Sequence, residues 1–104
     1  MIQIAFADED IENLINHKYT GKYKKYKSSS KLISDLDKVM RRILSVDNVN
    51  ELYSQHALNF EKLDNNPYYS VRVGYFTKYR LLFTVEENKI KICIIELSEH
   101  YGDT

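Results

Sequence analysis

The sequence of 104 residues contains no tryptophan, one proline, three glycines and one cysteine. A single cysteine, Cys93, cannot form a disulfide within the chain, so a disulfide-stapled fold is excluded. Cys93 lies in the most apolar segment, and we expect a buried thiol that packs as a small hydrophobic side chain. There is no basic-plus-apolar leader and no apolar run long enough for a membrane span, so we expect a cytoplasmic protein without a membrane partner.

The sequence also lacks the usual signatures of cofactor and metal sites. It has no Gly-rich phosphate loop, and its three histidines, His17, His56 and His100, are too far apart for a zinc-binding pattern. The acids at residues 8–12 are explained by the start of a helix, where negative charge is favourable. We therefore expect neither a metal nor a cofactor.

Neither sign of charge is in excess, because 15 basic residues balance 15 acidic ones. The charges are nevertheless segregated, with an acidic cluster at residues 8–12 and a basic belt over residues 17–46. Such a belt favours nucleic acid or an acidic protein as a partner. The neutral total argues against tight unaided binding to long nucleic acid.

Most of the regular pattern lies between residues 68 and 97. Three segments rich in β-branched and aromatic residues, Tyr68–Val73, Tyr79–Glu86 and Lys89–Leu97, are separated by short polar breaks, which predicts an antiparallel meander. Apolar and polar side chains alternate in the first two segments, as in half-buried strands. The third is continuously apolar from Ile92 to Ile95, which predicts a central strand covered on both faces.

The first half of the chain predicts one strand and two helices. Residues 2–6 alternate as a short strand, Asp8 is the expected cap of a helix over 9–18, and an apolar stripe predicts an amphipathic helix over 31–46. Lysine and tyrosine alternate in the connector, residues 17–30. Either they contact RNA, or the tyrosines pack on the helices while the lysines remain solvated, and we favour the second interpretation.

These elements predict an α+β domain over residues 1–104, in the order β-α-α-β-β-β. Two helices would cover one face of a small, mainly antiparallel sheet, and the open face would leave Arg72, Arg80 and His100 accessible. Arginine suits phosphate binding and histidine exchanges protons near neutral pH. Such residues permit metal-free RNA cleavage through the 2′-hydroxyl. Alternatively, the arginines only form ion pairs with acids such as Glu61, Glu96 or Glu99.

Four short pieces, in this order and spacing, carry a family resemblance: Phe60–Leu63, Tyr69–Val73, Tyr79–Leu81 and Glu99–Tyr101. With them the chain resembles the RelE/ParE superfamily of toxins from bacterial type II toxin–antitoxin systems, and more narrowly the HigB, or plasmid-maintenance killer, branch. The resemblance covers essentially the whole chain and is strongest over residues 58–103. Asp64 and Asn65 depart from it, since relatives often have Lys-Gly there.

The resemblance implies a RelE/ParE-like fold and a ribosome-dependent, metal-independent endoribonuclease that cuts messenger RNA. It also implies neutralisation by a cognate antitoxin, expected to be a helix-turn-helix protein of the HigA type. By position, the resemblance assigns catalysis to Arg80, His100, Arg72 and Tyr101, and RNA binding to Lys62 and Lys78.

Two other functions remain open for the same fold. A ParE-like toxin poisons DNA gyrase by binding and has no nuclease site, so a supercoiling assay separates it from a nuclease. An inactive homologue would act only in a complex with the antitoxin, and growth after induction separates it from an active toxin.

Overall fold

A mixed sheet of five strands organises the part of the chain that the computed structural model describes, residues 1–75 and 77–99. The strand order is β1-β5-β4-β3-β2, with β1 parallel to β5 and the other neighbours antiparallel. The elements are β1 (Gln3–Phe6), α1 (Glu9–Ile15), α2 (Ser30–Leu44), β2 (Glu61–Lys62), β3 (Tyr69–Arg72), β4 (Arg80–Val85) and β5 (Lys91–Ser98), with 3₁₀ helices at Gly21–Ser28, Val49–Ser54 and His56–Leu58.

The predicted α+β architecture and the meander β3-β4-β5 are confirmed. The structure adds β2, an edge strand that the sequence pattern did not indicate. Its two residues are too few to show a period of two, and its pairing with β3 depends on the turn at residues 64–67 that brings the strands together.

Both predicted helices are present, and the predicted cap of the first is confirmed. The Asp8 carboxylate accepts a hydrogen bond from the Ile11 backbone N–H at 2.9 Å, as expected of an N-cap. Helix α1 ends at Ile15, before the predicted end at residue 18, because His17 adopts a left-handed φ of 65°. No helix in the described ranges is long and apolar enough to cross a membrane.

The core lies between the two helices and one face of the sheet. Helix α2 contributes its apolar stripe, while Leu81, Phe83, Ile92 and Ile94 on the central strands have no exposed surface. Full burial of such a side chain stabilises the fold by about 1.5–3 kcal/mol. The prediction that β5 is covered on both faces is wrong, because Cys93, a free thiol, and its alternating neighbours on the second face are only partly buried.

The Lys/Tyr segment, Gly21–Ser28, packs as the favoured interpretation predicted. Tyr23 and Tyr26 are buried, while the lysines of the segment are exposed. Gly21 opens the segment with a φ of +56°, and a Cβ there would collide with the Asp10 carboxylate. The acidic start of α1 therefore lies against the basic segment, with Lys22 Nζ 3.7 Å from Asp8 Oδ2.

Candidate functional site

Two arginines face each other across the middle of the sheet. The register of β3 and β4 makes Arg72 and Arg80 direct partners, and Ser98 of β5 is the partner of Arg80 on its other side. Like charges at opposed positions of an antiparallel pair are destabilising. Their pairing therefore requires compensation from surrounding acceptors.

Arg80 obtains that compensation inside the protein. Its side chain is only 4% exposed, and its Nη2 atom donates to Ser70 Oγ at 2.7 Å and to the Asn59 carbonyl at 2.8 Å. Glu61 Oε1 lies 3.5 Å from the same nitrogen. The expectation of an accessible Arg80 is therefore wrong, because the segment from Asn59 to Glu61 covers this part of the sheet.

The electrostatic setting of Arg80 combines opposing effects. Burial lowers the pKa of Arg80, the Glu61 carboxylate acts to raise it, and the positive charge of Arg72 lowers it further. The guanidinium still carries its charge at neutral pH, since arginine does not deprotonate in proteins. Among the described residues, the buried polar or charged side chains are those of Ser70 and Arg80. The other buried side chains are apolar, so this polar cluster is an exception within the interior.

Glu61 is a site residue that the sequence offered only as an ion-pair partner. Its side chain is 39% exposed, yet its Oε1 atom is buried and accepts no hydrogen bond from any described residue. The sequence carried little signal for this role, because the pairing of Glu61 with Ser70 depends on the two-residue strand β2, which shows no period of its own. Because the side chain as a whole is 39% exposed, its carboxylate is accessible to a bound hydroxyl and can act as a general base.

Arg72 is less buried and faces a different environment. Its Nη2 atom donates to the Ala57 carbonyl at 3.3 Å, and its guanidinium carbon lies 4.6 Å from the centre of the Tyr75 ring. Arginine stacks favourably on such a ring. Arg72 also lines a cleft of about 510 Å³ beside α2.

The structure does not bring Lys62 to the two arginines. Lys62 pairs with Tyr69, and alternation along β2 places it on the opposite face from Glu61. Its ammonium donates to the carbonyls of Leu63, at 2.9 Å, and of Asn66. The side chain therefore closes the turn at residues 64–67.

Lys78, the second residue that the sequence assigned to RNA binding, is exposed. It lies before β4, and its Nζ is 5.7 Å from the centre of the Tyr79 ring. It has no contact with Arg72 or Arg80 among the hydrogen bonds and ion pairs of the described chain.

His100 and Tyr101 lie outside the described residues, but the residues leading to them are held firmly. The Tyr23 hydroxyl accepts from the Leu97 backbone N–H at 3.3 Å, and the Tyr26 hydroxyl donates to Glu99 Oε1 at 2.5 Å. The hydrogen bond from Tyr26 lowers the pKa of Glu99, and burial raises the pKa of Tyr26. The Lys/Tyr segment thus fixes the end of β5.

Across residues 1–75 and 77–99, no group of three or more His, Cys, Asp or Glu side chains is arranged to hold a metal ion.

Comparison with known proteins identifies the fold. No family model and no curated protein matches this sequence. Among solved structures, the YoeB dimer from Staphylococcus aureus is 22% identical, with a TM-score of 0.53 over 96% of this chain and 98% of that one. The YoeB–YefM complex from the same organism gives 21% identity and a TM-score of 0.51, over 97% of this chain and 99% of that one.

A YoeB/ParE toxin from Agrobacterium tumefaciens is 13% identical and has a TM-score of 0.54 over 96% of this chain and all of that one. The described chain therefore has the fold of the YoeB and YoeB/ParE toxins, which confirms the fold expected from the RelE/ParE resemblance. None of these neighbours is described as a HigB protein, so the assignment to that branch stays a prediction.

Proposed function

We propose that this chain is the toxin of a type II toxin–antitoxin system and acts as a ribosome-dependent endoribonuclease on messenger RNA. The observation that carries the proposal is the register pair Arg72 and Arg80 beside the Glu61 carboxylate. This set of charges lies on a fold shared with YoeB toxins over nearly the whole chain. In metal-free phosphodiester cleavage, guanidinium groups stabilise the developing charge and a carboxylate can act as the base, while a further residue must supply the acid.

In the proposed reaction the RNA supplies its own nucleophile. The 2′-hydroxyl attacks the adjacent phosphorus, the O2′–P bond forms, and the P–O5′ bond breaks to leave a 2′,3′-cyclic phosphate and a 5′-hydroxyl. Glu61 accepts the proton of the 2′-hydroxyl, and His100 donates a proton to the leaving 5′ oxygen. Arg72 and Arg80 stabilise the negative charge that develops on the phosphorane.

The burial of Arg80 determines how RNA would approach. Because Arg80 is 4% exposed while Arg72 is half-buried, a phosphate meets Arg72 and Glu61 first. Arg80 then acts through its charge, which is weakly screened at short range in a low-dielectric interior, and through the fixed orientation of its guanidinium on Ser70 and the Asn59 carbonyl. Tyr101 completes the proposed catalytic set by its position next to His100.

The proposed partner in the resting cell is a cognate antitoxin. One structural neighbour is a YoeB–YefM complex, which supports a protein partner for this fold. An acidic antitoxin segment beside Arg72 would complement the positive charge of that residue. A helix-turn-helix antitoxin of the HigA type remains the prediction from the sequence.

The function is tested with the purified chain on ribosomes that carry a defined message. We expect cleavage of ribosome-bound message and poor cleavage of the same RNA in free solution, since a neutral protein captures free RNA weakly at physiological salt. Cleavage sites are mapped by primer extension, with Glu61→Gln as the variant lacking the proposed base. The nuclease proposal fails if the folded wild-type protein leaves ribosome-bound message intact.

A second candidate is a non-nuclease toxin that poisons DNA gyrase. One neighbour is described as a YoeB/ParE toxin, and the bonds of Arg80 to Ser70 and Asn59 favour a structural use of that residue. Inhibition of gyrase supercoiling without any cleavage of message would select this alternative.

A further inference from the structure

A second cationic site adjoins the arginine pair, in the cleft of about 510 Å³ beside α2. Four cationic side chains line it: Lys31, Lys38, Arg42 and Arg72. The acid in its lining, Asp35, is already bound to Lys31, with Nζ 2.6 Å from Oδ2. The cleft therefore has an excess of positive charge that internal pairing does not cancel.

Helix geometry arranges three of these cations in a row. Lys31, Lys38 and Arg42 share one face of α2, because their spacings of seven and four residues follow the helical repeat. The row extends over about 16 Å at 1.5 Å per residue. Within the described chain, Lys38 and Arg42 form no ion pair, and Arg42 donates to the neutral Gln55 side chain at 3.0 Å.

We infer that this cleft binds the phosphodiester backbone of the RNA beside the cleavage site, an inference that rests on the proposed function. Arg72 links the two sites, because it is the register partner of Arg80 and also lines the cleft. A strand whose reacting phosphate lies at the arginine pair therefore continues along a row of cations. A row of this kind suits a polymer with regularly spaced charges.

The walls of the cleft favour RNA over an acidic peptide. Tyr75 is 59% exposed at its edge, where the Arg72 guanidinium carbon lies 4.6 Å from the centre of the tyrosine ring, so an aromatic side chain and a cation adjoin at this end of the cleft. Val39 and Leu58 form an apolar part of the lining. A positively charged groove with an aromatic side chain in its lining is typical of sites that bind single strands without sequence preference.

The test measures binding by the full chain of a fluorescent, single-stranded, 2′-O-methyl oligoribonucleotide, by anisotropy over a series of salt concentrations. We expect the double variant Lys38→Gln/Arg42→Gln to bind the strand more weakly. In a plot of log binding constant against log salt concentration, its slope should be smaller in magnitude by about 1.4, since each lost phosphate contact removes about 0.7. The matched control is Lys24→Gln/Lys27→Gln, which removes two exposed lysines of the Lys/Tyr segment and should keep the slope. Melting temperatures verify that both variants are folded.

The methylated strand cannot be cleaved, so binding is separated from nuclease activity. If the wild-type protein binds the strand through the cleft but cuts no message, the nuclease proposal is refuted while the inference that the cleft binds RNA stands. Absence of binding, an unchanged slope for the cleft variant, or equal losses in both double variants would overturn the inference. It is also overturned if a polyglutamate peptide of equal length binds as tightly and loses as much affinity in the cleft variant, because the occupant is then an acidic protein segment.

Discussion

Arg72 and Arg80 are register partners, and the Nη2 atoms of both donate to backbone carbonyls of one short segment. Arg72 binds the Ala57 carbonyl at 3.3 Å, and Arg80 binds the Asn59 carbonyl at 2.8 Å. These carbonyls offset the repulsion between the two cations. The segment ends at Asn59 in a left-handed conformation with φ of 44°, an uncommon backbone geometry that sets the direction of the carbonyl bound by Arg80.

Replacing Arg80 by lysine tests the shape of the group separately from its charge. Arg80→Lys keeps a cation but cannot reach Ser70, Asn59 and a phosphate in the same fixed geometry. We expect cleavage of ribosome-bound message to fall by roughly 10²-fold, on the scale of losing one preorganised donor. Lys24→Arg, a charge-preserving change at an exposed position, is the control. Wild-type cleavage by a folded Arg80→Lys protein would remove Arg80 from the proposed mechanism.

Ser70 tests how much stability depends on the buried cluster. Its side chain is fully buried and accepts from Arg80, so Ser70→Ala leaves a buried charged donor with one partner fewer. We expect the free energy of unfolding to fall by about 1–3 kcal/mol, measured by urea denaturation. Ser54→Ala, at an exposed position, should change it by less than about 0.5 kcal/mol. Equal effects of the two substitutions would contradict a stabilising role for the cluster.

The sequence predicted the elements whose side chains repeat with a regular period. The stripe of α2 and the alternation in β3 and β4 fix which face of each element is apolar, and such patterns were sufficient to predict both helices and every strand except β2. The alternation also predicted that the Arg80 side chain lies on the opposite face of β4 from the Leu81 side chain. The period of apolar residues shows which face of a helix or strand is apolar, but it does not show which other segment packs on that face.

What covers a face is decided by segments without periodicity. The burial of Arg80 comes from Asn59 and Glu61, in a stretch of 3₁₀ helix and a two-residue strand. Lys62 is bound by backbone carbonyls of the turn at residues 64–67 and its flank. The amino-acid composition predicts that a turn is present there, but it does not predict where the carbonyls of the turn point. The sequence therefore predicted Arg72 and Arg80 as candidate residues, but it indicated neither the burial of Arg80 nor the position of Glu61 beside it.

Tyr26 provides a prediction with a defined pH dependence. Its hydrogen bond is the largest cause of the lowered pKa of Glu99, so it stabilises the fold while that carboxylate is ionised. We expect Tyr26→Phe to lower the free energy of unfolding by about 1 kcal/mol at pH 7. Because the folded pKa lies below the ordinary value of 4.5, this contribution is present above pH 4.5 and is lost as the pH falls through the folded pKa.

The measurement is denaturation of wild type and Tyr26→Phe at pH 7 and at successively lower pH. Tyr53→Phe, at a tyrosine that is 52% exposed, is the control and should show no such dependence. A deficit for Tyr26→Phe that stays constant as Glu99 becomes protonated would show that lost packing, and not the hydrogen bond, is responsible. A weaker cleavage by the folded variant would further link the Lys/Tyr segment to the end of β5.

We expect Lys62 to contribute to the stability of the fold and Lys78 to contribute to RNA binding, so substitutions at the two positions should have different effects. Because the Lys62 ammonium is bound to two carbonyls of the turn, Lys62→Gln should lower stability by about 0.5–1 kcal/mol. Lys78→Gln should leave stability unchanged and weaken RNA binding with a slightly smaller salt slope. Thermal melting of both variants measures the change in stability, and the oligoribonucleotide assay measures the change in RNA binding. The reverse pattern would return Lys62 to the RNA-binding set.

The position of β5 in the sheet has a consequence for the order of folding. This strand lies between β1 and β4, and Gln3 of β1 pairs with Lys91 of β5 from the other end of the described chain. Strand β1 therefore has no partner in the sheet until residues 91–98 have been synthesised and have left the ribosome. Pairings of such long range form slowly because the entropy of closing the loop is lost before any contact is gained. During translation the nascent protein thus passes through a stage in which β1 has no strand to pair with, although α1 can already pack on the segment Gly21–Ser28.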